Sequence, residues 1–193
     1  MDQRGLHSDA LLDADAVVRT VAASDLERPT PCEGWTLGDL LAHMLGQQDG
    51  FAAAVTDGDA PRSAYESVPF TQEAWRSSVE RLLLAFAAAD LDAEVIEIEF
   101  SPRPLPLRVL VGAQLLDAAV HAWDVARSLG RDYTPPDAVV AAVAEVARPI
   151  VDDERRATAG FFGPTVGGVS ADLDSWSDVL AHLGRDADWA ETD

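Results

Sequence analysis

The stretch LLDAAVHAWDVA, residues 115–126, most restricts what this chain can fold into. It is apolar over most of its length but carries Asp117, His121 and Asp124 at positions i, i+4 and i+7. On an α-helix these positions share one face, so they form a thin polar stripe on an otherwise apolar surface. A surface helix has a broad polar face. A stripe this narrow therefore predicts a helix in the centre of a helical bundle.

A second segment, LGDLLAHMLGQQ, repeats the pattern with Asp39, His43 and Gln47. Two interpretations remain open. In the first, each stripe is the narrow solvent face of a well-packed helix, or its histidine is a hydrogen-bonded core residue. In the second, the stripes converge, and His43, Asp117 and His121 bind one metal ion. Three protein ligands leave coordination positions open, which is typical of a catalytic metal site.

Helix and turn signals predict a mostly helical single domain over residues 1–193, with a bundle at its centre. We predict helices at 8–25, 37–55, 71–88, 107–129, 137–153 and 175–184. A capping box at Thr36 and Asp39, a cap at Thr71 and a terminating Gly130 support three of these boundaries. AEVIEIEF and the proline-rich SPRPLP predict a small β-hairpin near 94–110, and a glycine-rich loop is expected over 156–174.

Composition excludes several classes of partner. The formal net charge of −20 argues against binding to nucleic acid or to an anionic membrane, because both require clustered cations. Cys32 is the single cysteine, so no intrachain disulfide can form, and no signal-peptide pattern or apolar run of about 18 residues is present. We therefore expect a cytoplasmic protein. Apolar faces on its outer helices would permit a homodimer.

The two stripes lie in motifs that resemble a known family. TPCEGWTLGDLLAHM resembles the first signature of the mycothiol-dependent maleylpyruvate isomerase family, within the DinB-like superfamily of helical-bundle metalloproteins. DAAVHAWDVARSLG resembles the second signature, a carboxylate–x3–His–x–Trp–Asp pattern, and DVLAHLGRDADW resembles the end of an actinobacterial, metal-binding branch. The resemblance spans nearly the whole chain. It implies an all-α, DinB-like four-helix bundle with additional short helices.

By this resemblance, His43, Asp117 and His121 match the three metal ligands of the family. In the better-known isomerase the carboxylate is Glu, so Asp117 is one methylene shorter and leaves the identity of the ion open. Histidine and carboxylate donors suit Zn²⁺ and also Fe²⁺ or Ni²⁺. We expect zinc.

The resemblance further implies mycothiol, a low-molecular-weight thiol, as cosubstrate of a metal-dependent isomerase or S-transferase with a small-molecule substrate. Two other classes remain open. One is a metal-dependent hydrolase in which Asp124 or Asp39 acts as base, and the other is a metal-binding or ligand-binding protein without turnover. Asp124 is our candidate catalytic residue. Its alternatives are an acceptor that orients a ligand histidine and a solvated helix residue.

Other conspicuous side chains have structural interpretations. We expect Trp35 and Trp123 to pack rather than to contact substrate, and Cys32 to be a buried structural thiol. We expect Gln47, one turn after His43, to be exposed to solvent, with a position lining the cavity as the alternative. Two histidines stay outside the metal hypothesis: His7, which we place in a frayed terminus, and His182, which has no carboxylate at metal-binding spacing.

Overall fold

The computed structural model describes residues 2–96, 101, 103–151, 162–167 and 172–191. Within them the chain forms six α-helices: α1 (Gln3–Val18), α2 (Leu37–Asp57), α3 (Gln72–Ala88), α4 (Leu107–Ser128), α5 (Asp137–Ala147) and α6 (Trp176–His182). Two short 3₁₀ helices, Ala23–Asp25 and Arg62–Tyr65, lie in the connections. The predicted mostly helical class is therefore confirmed.

The first four helices form a four-helix bundle. Helix α1 packs along α4 and also contacts α3, while α2 packs against α3 and α4. Each helix of the bundle therefore has two main neighbours, and the apolar side chains between them form one core. Helix α5 packs outside the bundle on α4 and α1, and α6 packs on α5.

Capping interactions fix three boundaries where the sequence predicts them. Asp39 N donates to Thr36 Oγ1 at 3.2 Å and Thr36 N donates to Asp39 Oδ2 at 3.0 Å, which completes the capping box of α2. Thr71 Oγ1 accepts from Ala74 N at the start of α3. Gly130, with a φ of 68°, follows α4 in the left-handed conformation that glycine adopts without strain.

Helix α1 differs from its predicted bounds of 8–25. It begins at Gln3, where the Asp2 side chain accepts from Gly5 N, and it ends at Val18. His7 is therefore not in a frayed terminus. It is 1% exposed, and its Nε2 lies 3.0 Å from Gln114 Oε1 of α4.

The remaining boundaries differ less. Helix α5 ends at Ala147 rather than at 153, because Pro149 has no backbone N–H with which to continue the hydrogen bonds of the helix. Part of the predicted hairpin is seen, since β1 (Glu94–Val95) pairs antiparallel with β2 (Leu105–Pro106); residues 97–100 and 102 of that prediction lie outside the described residues. Much of the predicted glycine-rich loop lies outside the described residues.

Helix α4 lies at the centre of the bundle. By length and composition alone it could cross a membrane, but 83% of its most apolar 18-residue window is buried inside the structure. That burial is what a core helix shows, and it agrees with the narrow polar stripe in its sequence. The stripe of Asp117, His121 and Asp124 consequently faces enclosed space.

Helix α2 is held close to the segment that follows it. A Cβ atom at Gly46 would lie 2.5 Å from the carbonyl oxygen of Glu66 and 2.7 Å from that of Tyr65. Only glycine permits this approach of backbone to helix. The contact lies one turn beyond His43. It holds the segment around Tyr65 and Glu66 against α2, the helix that carries His43.

Candidate metal centre

Three side chains of the two polar stripes meet between α2 and α4. The ring centroids of His43 and His121 are 5.4 Å apart, with the planes at 84°. Asp117 Oδ1 lies 3.4 Å from His121 Nε2, one helical turn away. One potential ligand atom from each of the three residues lies within 4.8 Å of the other two. The structure thus brings together the three residues that the sequence predicts as ligands.

This donor set fits a divalent transition metal. Two ligands about 2.1 Å from a tetrahedral ion are about 3.4 Å apart, and Asp117 Oδ1 and His121 Nε2 have that separation. Two imidazoles and one carboxylate suit Zn²⁺, as well as Fe²⁺ and Ni²⁺. The side chain of Asp117 is 22% exposed and that of His121 is 10% exposed, so the cluster is enclosed but accessible.

Asp124 holds the His121 ring from its other side. His121 Nδ1 lies 2.8 Å from Asp124 Oδ2, and Asp124 is 0% exposed. When Nδ1 carries the proton and donates it to this carboxylate, the lone pair of Nε2 points towards Asp117 and His43. The interpretation of Asp124 as a solvated helix residue is wrong, because its side chain is fully buried.

Two further segments of the chain converge on Asp124. Arg185, which follows α6, donates from Nε to Oδ1 at 3.4 Å and from Nη2 to Oδ2 at 3.1 Å. The Cys32 thiol donates to Oδ2 at 3.3 Å, and Arg185 Nη2 also lies 3.3 Å from Cys32 Sγ. The guanidinium supplies the opposite charge that a buried carboxylate requires.

Cys32, His121 and Asp124 form a second group with metal-binding spacing, and it shares His121 with the first. Arg185 already places a cation against two of its three members, Cys32 and Asp124. A metal ion there would meet a like charge at close range. Among the described residues, Arg185 makes no hydrogen bond or ion pair with His43 or Asp117, so the group around these two residues is the better candidate.

The electrostatics of the cluster follow from burial and from these contacts. Burial, with a smaller contribution from His121, lowers the pKa of His43 to about 4, so its ring is neutral near pH 7 and can bind a metal. Burial alone would raise the pKa of Asp124, but Arg185 and then His121 bring it down to about 2. Burial would raise the pKa of Asp117 too, but the charges of His121, His43 and Arg185 and a hydrogen bond to His121 together lower it.

His121 has the opposite behaviour. Burial lowers its pKa, but the charge of Asp117 and side-chain hydrogen bonds with Asp117, Asp124 and Cys32 raise it well above 6.5. Without a metal ion, protonated His121 is the cation between two carboxylates. A divalent ion at Nε2 would replace that proton and satisfy the same negative charge.

Four other side chains are placed as follows. Gln47 is 8% exposed, so the prediction that it faces solvent is wrong. Trp123 is 4% exposed, as expected for a packing residue, whereas Trp35 is 37% exposed and lies 4.9 Å from His43 between ring centroids. His182 lies outside the cluster, with Nε2 3.1 Å from the carbonyl oxygen of Ala147.

Arg185 is the residue that sequence reasoning missed. It lies within the motif DVLAHLGRDADW, but its neighbours there are aspartates typical of a solvated surface. Its partner Asp124 is 61 residues earlier in the chain. Periodicity carries no signal for a contact at that separation.

The fold and this cluster define a helical bundle with a candidate centre of two histidines and one carboxylate. Residues 8–126 match the family model of the mycothiol maleylpyruvate isomerase N-terminal domain, and the chain belongs to that family. The matched segment contains His43, Asp117, His121 and Asp124, and it ends before Arg185.

The chain also resembles two sets of known proteins, one by sequence and one by fold. An uncharacterised protein of Mycobacterium tuberculosis, from strains CDC 1551 / Oshkosh and ATCC 25618 / H37Rv, is 27% identical over 141 residues, or 72% of this chain and 75% of that protein. Crystal structures of the mycothiol-dependent maleylpyruvate isomerase and of a histidine-to-alanine mutant of it have TM-scores of 0.59 and 0.63. Their identities are 15% and 14%, and each comparison covers 81% of this chain and 70% of the other. The likeness to these structures shows a shared fold.

Proposed function

We propose that this protein is a metal-dependent enzyme that uses mycothiol as cosubstrate, of the isomerase or S-transferase type. The observation that carries the proposal is the convergence of His43, Asp117 and His121 in a chain of the mycothiol maleylpyruvate isomerase family. Zinc is the proposed metal, because the donors and their spacing suit tetrahedral coordination. The small-molecule substrate is an electrophile to which a thiol adds.

Three residues of the chain would hold and orient the ion. His43 and His121 would each supply a ring nitrogen and Asp117 a carboxylate oxygen, which leaves coordination positions open. A bound metal ion supplies Lewis acidity and lowers the pKa of a thiol that coordinates it, so that thiolate is present near neutral pH.

The reaction itself is an addition of the thiol sulfur to an electrophilic carbon. The sulfur lone pair forms a C–S bond, and the electron pair of the attacked double bond moves onto the substrate. In an isomerase, rotation about the resulting single bond is followed by elimination of the thiol, which regenerates the double bond and the cosubstrate. In an S-transferase, protonation gives the conjugate, which is released.

We assign Asp124 a positioning role rather than the catalytic one. It is fully buried and bonded to His121 and Arg185, so its carboxylate has no path to a substrate. Asp39, the other base considered for a hydrolase, caps α2 through Thr36, and those hydrogen bonds lower its pKa and make it a weaker base. Neither of these two residues is therefore suited to act as the base that the hydrolase alternative requires.

Metal analysis of the purified protein tests the site. We expect about one equivalent of metal in the wild type and in His182→Ala, the matched control outside the cluster, and far less in His43→Ala. Equal metal content in His43→Ala and the wild type would remove the basis of the proposal.

Calorimetric titration of the zinc-loaded protein with mycothiol tests the cosubstrate. We expect saturable heat that is absent from the metal-depleted protein. No heat at millimolar mycothiol would exclude the thiol-dependent reaction. Cleavage of ester or amide substrates without added thiol would favour the hydrolase instead.

A further inference from the structure

We infer that Trp35 is a ligand-contacting residue whose indole forms the outer wall of the candidate centre and binds the sugar portion of mycothiol. The inference rests on the proposed function, because it assigns a contact to the proposed cosubstrate. Its support is the position, exposure and local rigidity of Trp35.

Four side chains contact one another in series from the buried core to the surface. Asp124 is 0% exposed and His121 8% exposed, His43 is half-buried, and Trp35 is 37% exposed. Each contacts the next: Asp124 bonds His121, the His121 ring meets His43, and the His43 ring meets Trp35 edge-on at 60°. Trp35 is the solvent-facing member of this series, so a ligand that reaches the centre from this side would meet the indole first.

The turn that carries Trp35 is firmly held. Trp35 N donates to the carbonyl oxygen of Cys32 at 3.0 Å. The Thr30 hydroxyl lies 3.0 Å from the carbonyl oxygens of both Cys32 and Trp35, and it accepts from Cys32 N at 3.1 Å. Thr30 is 6% exposed, so this network is shielded from water. A ring on a fixed turn loses little conformational freedom when a ligand binds.

Trp35 differs from the tryptophans of the core in its exposure to solvent. Trp75, Trp123 and Trp176 are at most 8% exposed, and Trp35 is the most exposed of the five tryptophans. An exposed aromatic ring beside an enclosed polar cluster is typical of a ligand site, where apolar walls flank a few placed polar groups.

The chemistry of mycothiol matches this arrangement. Its thiol belongs to an acetylated cysteine, which is joined through an amide to two linked, uncharged rings that carry hydroxyl groups. With the sulfur at the candidate centre, the rings extend towards solvent, and the C–H face of a sugar ring packs on an aromatic face. Such a contact needs no charge, which suits a protein with a net charge of −20.

The test compares two thiols on zinc-loaded protein by calorimetric titration: mycothiol, and N-acetylcysteine, which has the thiol without the sugar rings. We expect Trp35→Ala to weaken mycothiol binding about tenfold, or about 1.4 kcal/mol, and to leave N-acetylcysteine binding unchanged. Trp35→Phe, which keeps a ring, should bind mycothiol close to the wild-type affinity. Leu84→Ala, at a 64% exposed position on α3, is the control.

Each other outcome has a defined meaning. Equal mycothiol affinity of Trp35→Ala and wild type overturns the inference and leaves the proposed function intact. If Trp35→Ala binds both thiols more weakly by the same factor, or loses zinc, Trp35 acts only by supporting His43. Either result also overturns the inference. No binding of mycothiol to wild type overturns both. If Trp35→Ala does not fold by circular dichroism, Trp35→Leu replaces it, with the same expectation.

Discussion

Arg185 and Asp124 form a buried ion pair, with Nε 3.4 Å from Oδ1 and Nη2 3.1 Å from Oδ2. Their side chains are 7% and 0% exposed. Because the same carboxylate accepts from His121, the pair connects the segment after α6 to the candidate metal centre. Removal of either partner leaves the other charge buried without compensation.

Asp124→Asn should weaken metal binding about 10- to 100-fold, because the amide no longer supplies the negative charge that orients His121 and makes it a better donor. Titration against a chromophoric chelator measures the change. Asp13→Asn, at a carboxylate on α1 outside the cluster, is the control. Unchanged affinity in Asp124→Asn would show that the negative charge of Asp124 does not contribute to metal binding.

Arg185→Gln should lower the free energy of unfolding by about 3–5 kcal/mol, since Asp124 then remains buried without a cation. Urea denaturation measures it. Arg131→Gln, whose guanidinium bonds Thr20 at the surface, should change stability by less than about 1 kcal/mol. Similar losses in the two variants would contradict the assigned importance of the buried pair.

Asp117→Ala should lose most of the bound metal, whereas Asp117→Glu should keep it, because a carboxylate remains within reach of Nε2 of His121. The longer side chain changes the ligand position and therefore the preference among Zn²⁺, Fe²⁺ and Ni²⁺. Elemental analysis after growth or dialysis with each metal gives the comparison. Full metal content in Asp117→Ala would exclude this residue as a ligand.

His7 should make stability depend on pH. Burial lowers its pKa from 6.5 to about 4, despite the opposing hydrogen bond to Gln114. Between these pH values the unfolded chain binds a proton that the folded chain does not, so the free energy of unfolding falls as pH falls, by up to about 3 kcal/mol.

The comparison for His7 is with His7→Gln, which keeps a hydrogen-bonding group but does not titrate. Urea denaturation between pH 7 and pH 4 should give a smaller loss of stability for the variant. Equal pH dependence of the two proteins would show that His7 does not carry the effect.

Gly46→Ala should lower the free energy of unfolding by about 1–3 kcal/mol, because the added methyl group meets the carbonyl oxygens of Tyr65 and Glu66. Gly38→Ala, whose added Cβ would lie no closer than 3.3 Å to its neighbours, is the matched control on the same helix. Thermal or urea denaturation separates them, and equal effects would argue against a close approach at Gly46.

Local sequence signals were sufficient for most of the fold. The starts of α2 and α3 follow from Thr36 and Thr71, whose hydroxyls cap the next turn, and the end of α4 follows from Gly130. The start of α1 was missed because its cap, Asp2, lies before the apolar pattern begins. Burial of His7 could not be predicted either, because its partner Gln114 lies on a different helix.

The candidate site divides in the same way. His43, Asp117 and His121 were identifiable because periodicity places them on helix faces and a resemblance relates the two helices. The partners of Asp124 were not, because Cys32 and Arg185 reach it only through tertiary packing, across 92 and 61 residues. The exposure of Trp35 likewise depends on how the turn before α2 docks, and composition does not specify it.

The ion pair also has a consequence for biosynthesis. A ribosome completes α4 before it reaches Arg185, which is 61 residues beyond Asp124. During that interval the nascent chain has His43, Asp117 and His121 but lacks the guanidinium that pairs with Asp124 in the folded protein. The centre therefore reaches its final form only after α6 has been made and docked, and metal loading is expected to be a late, post-translational event.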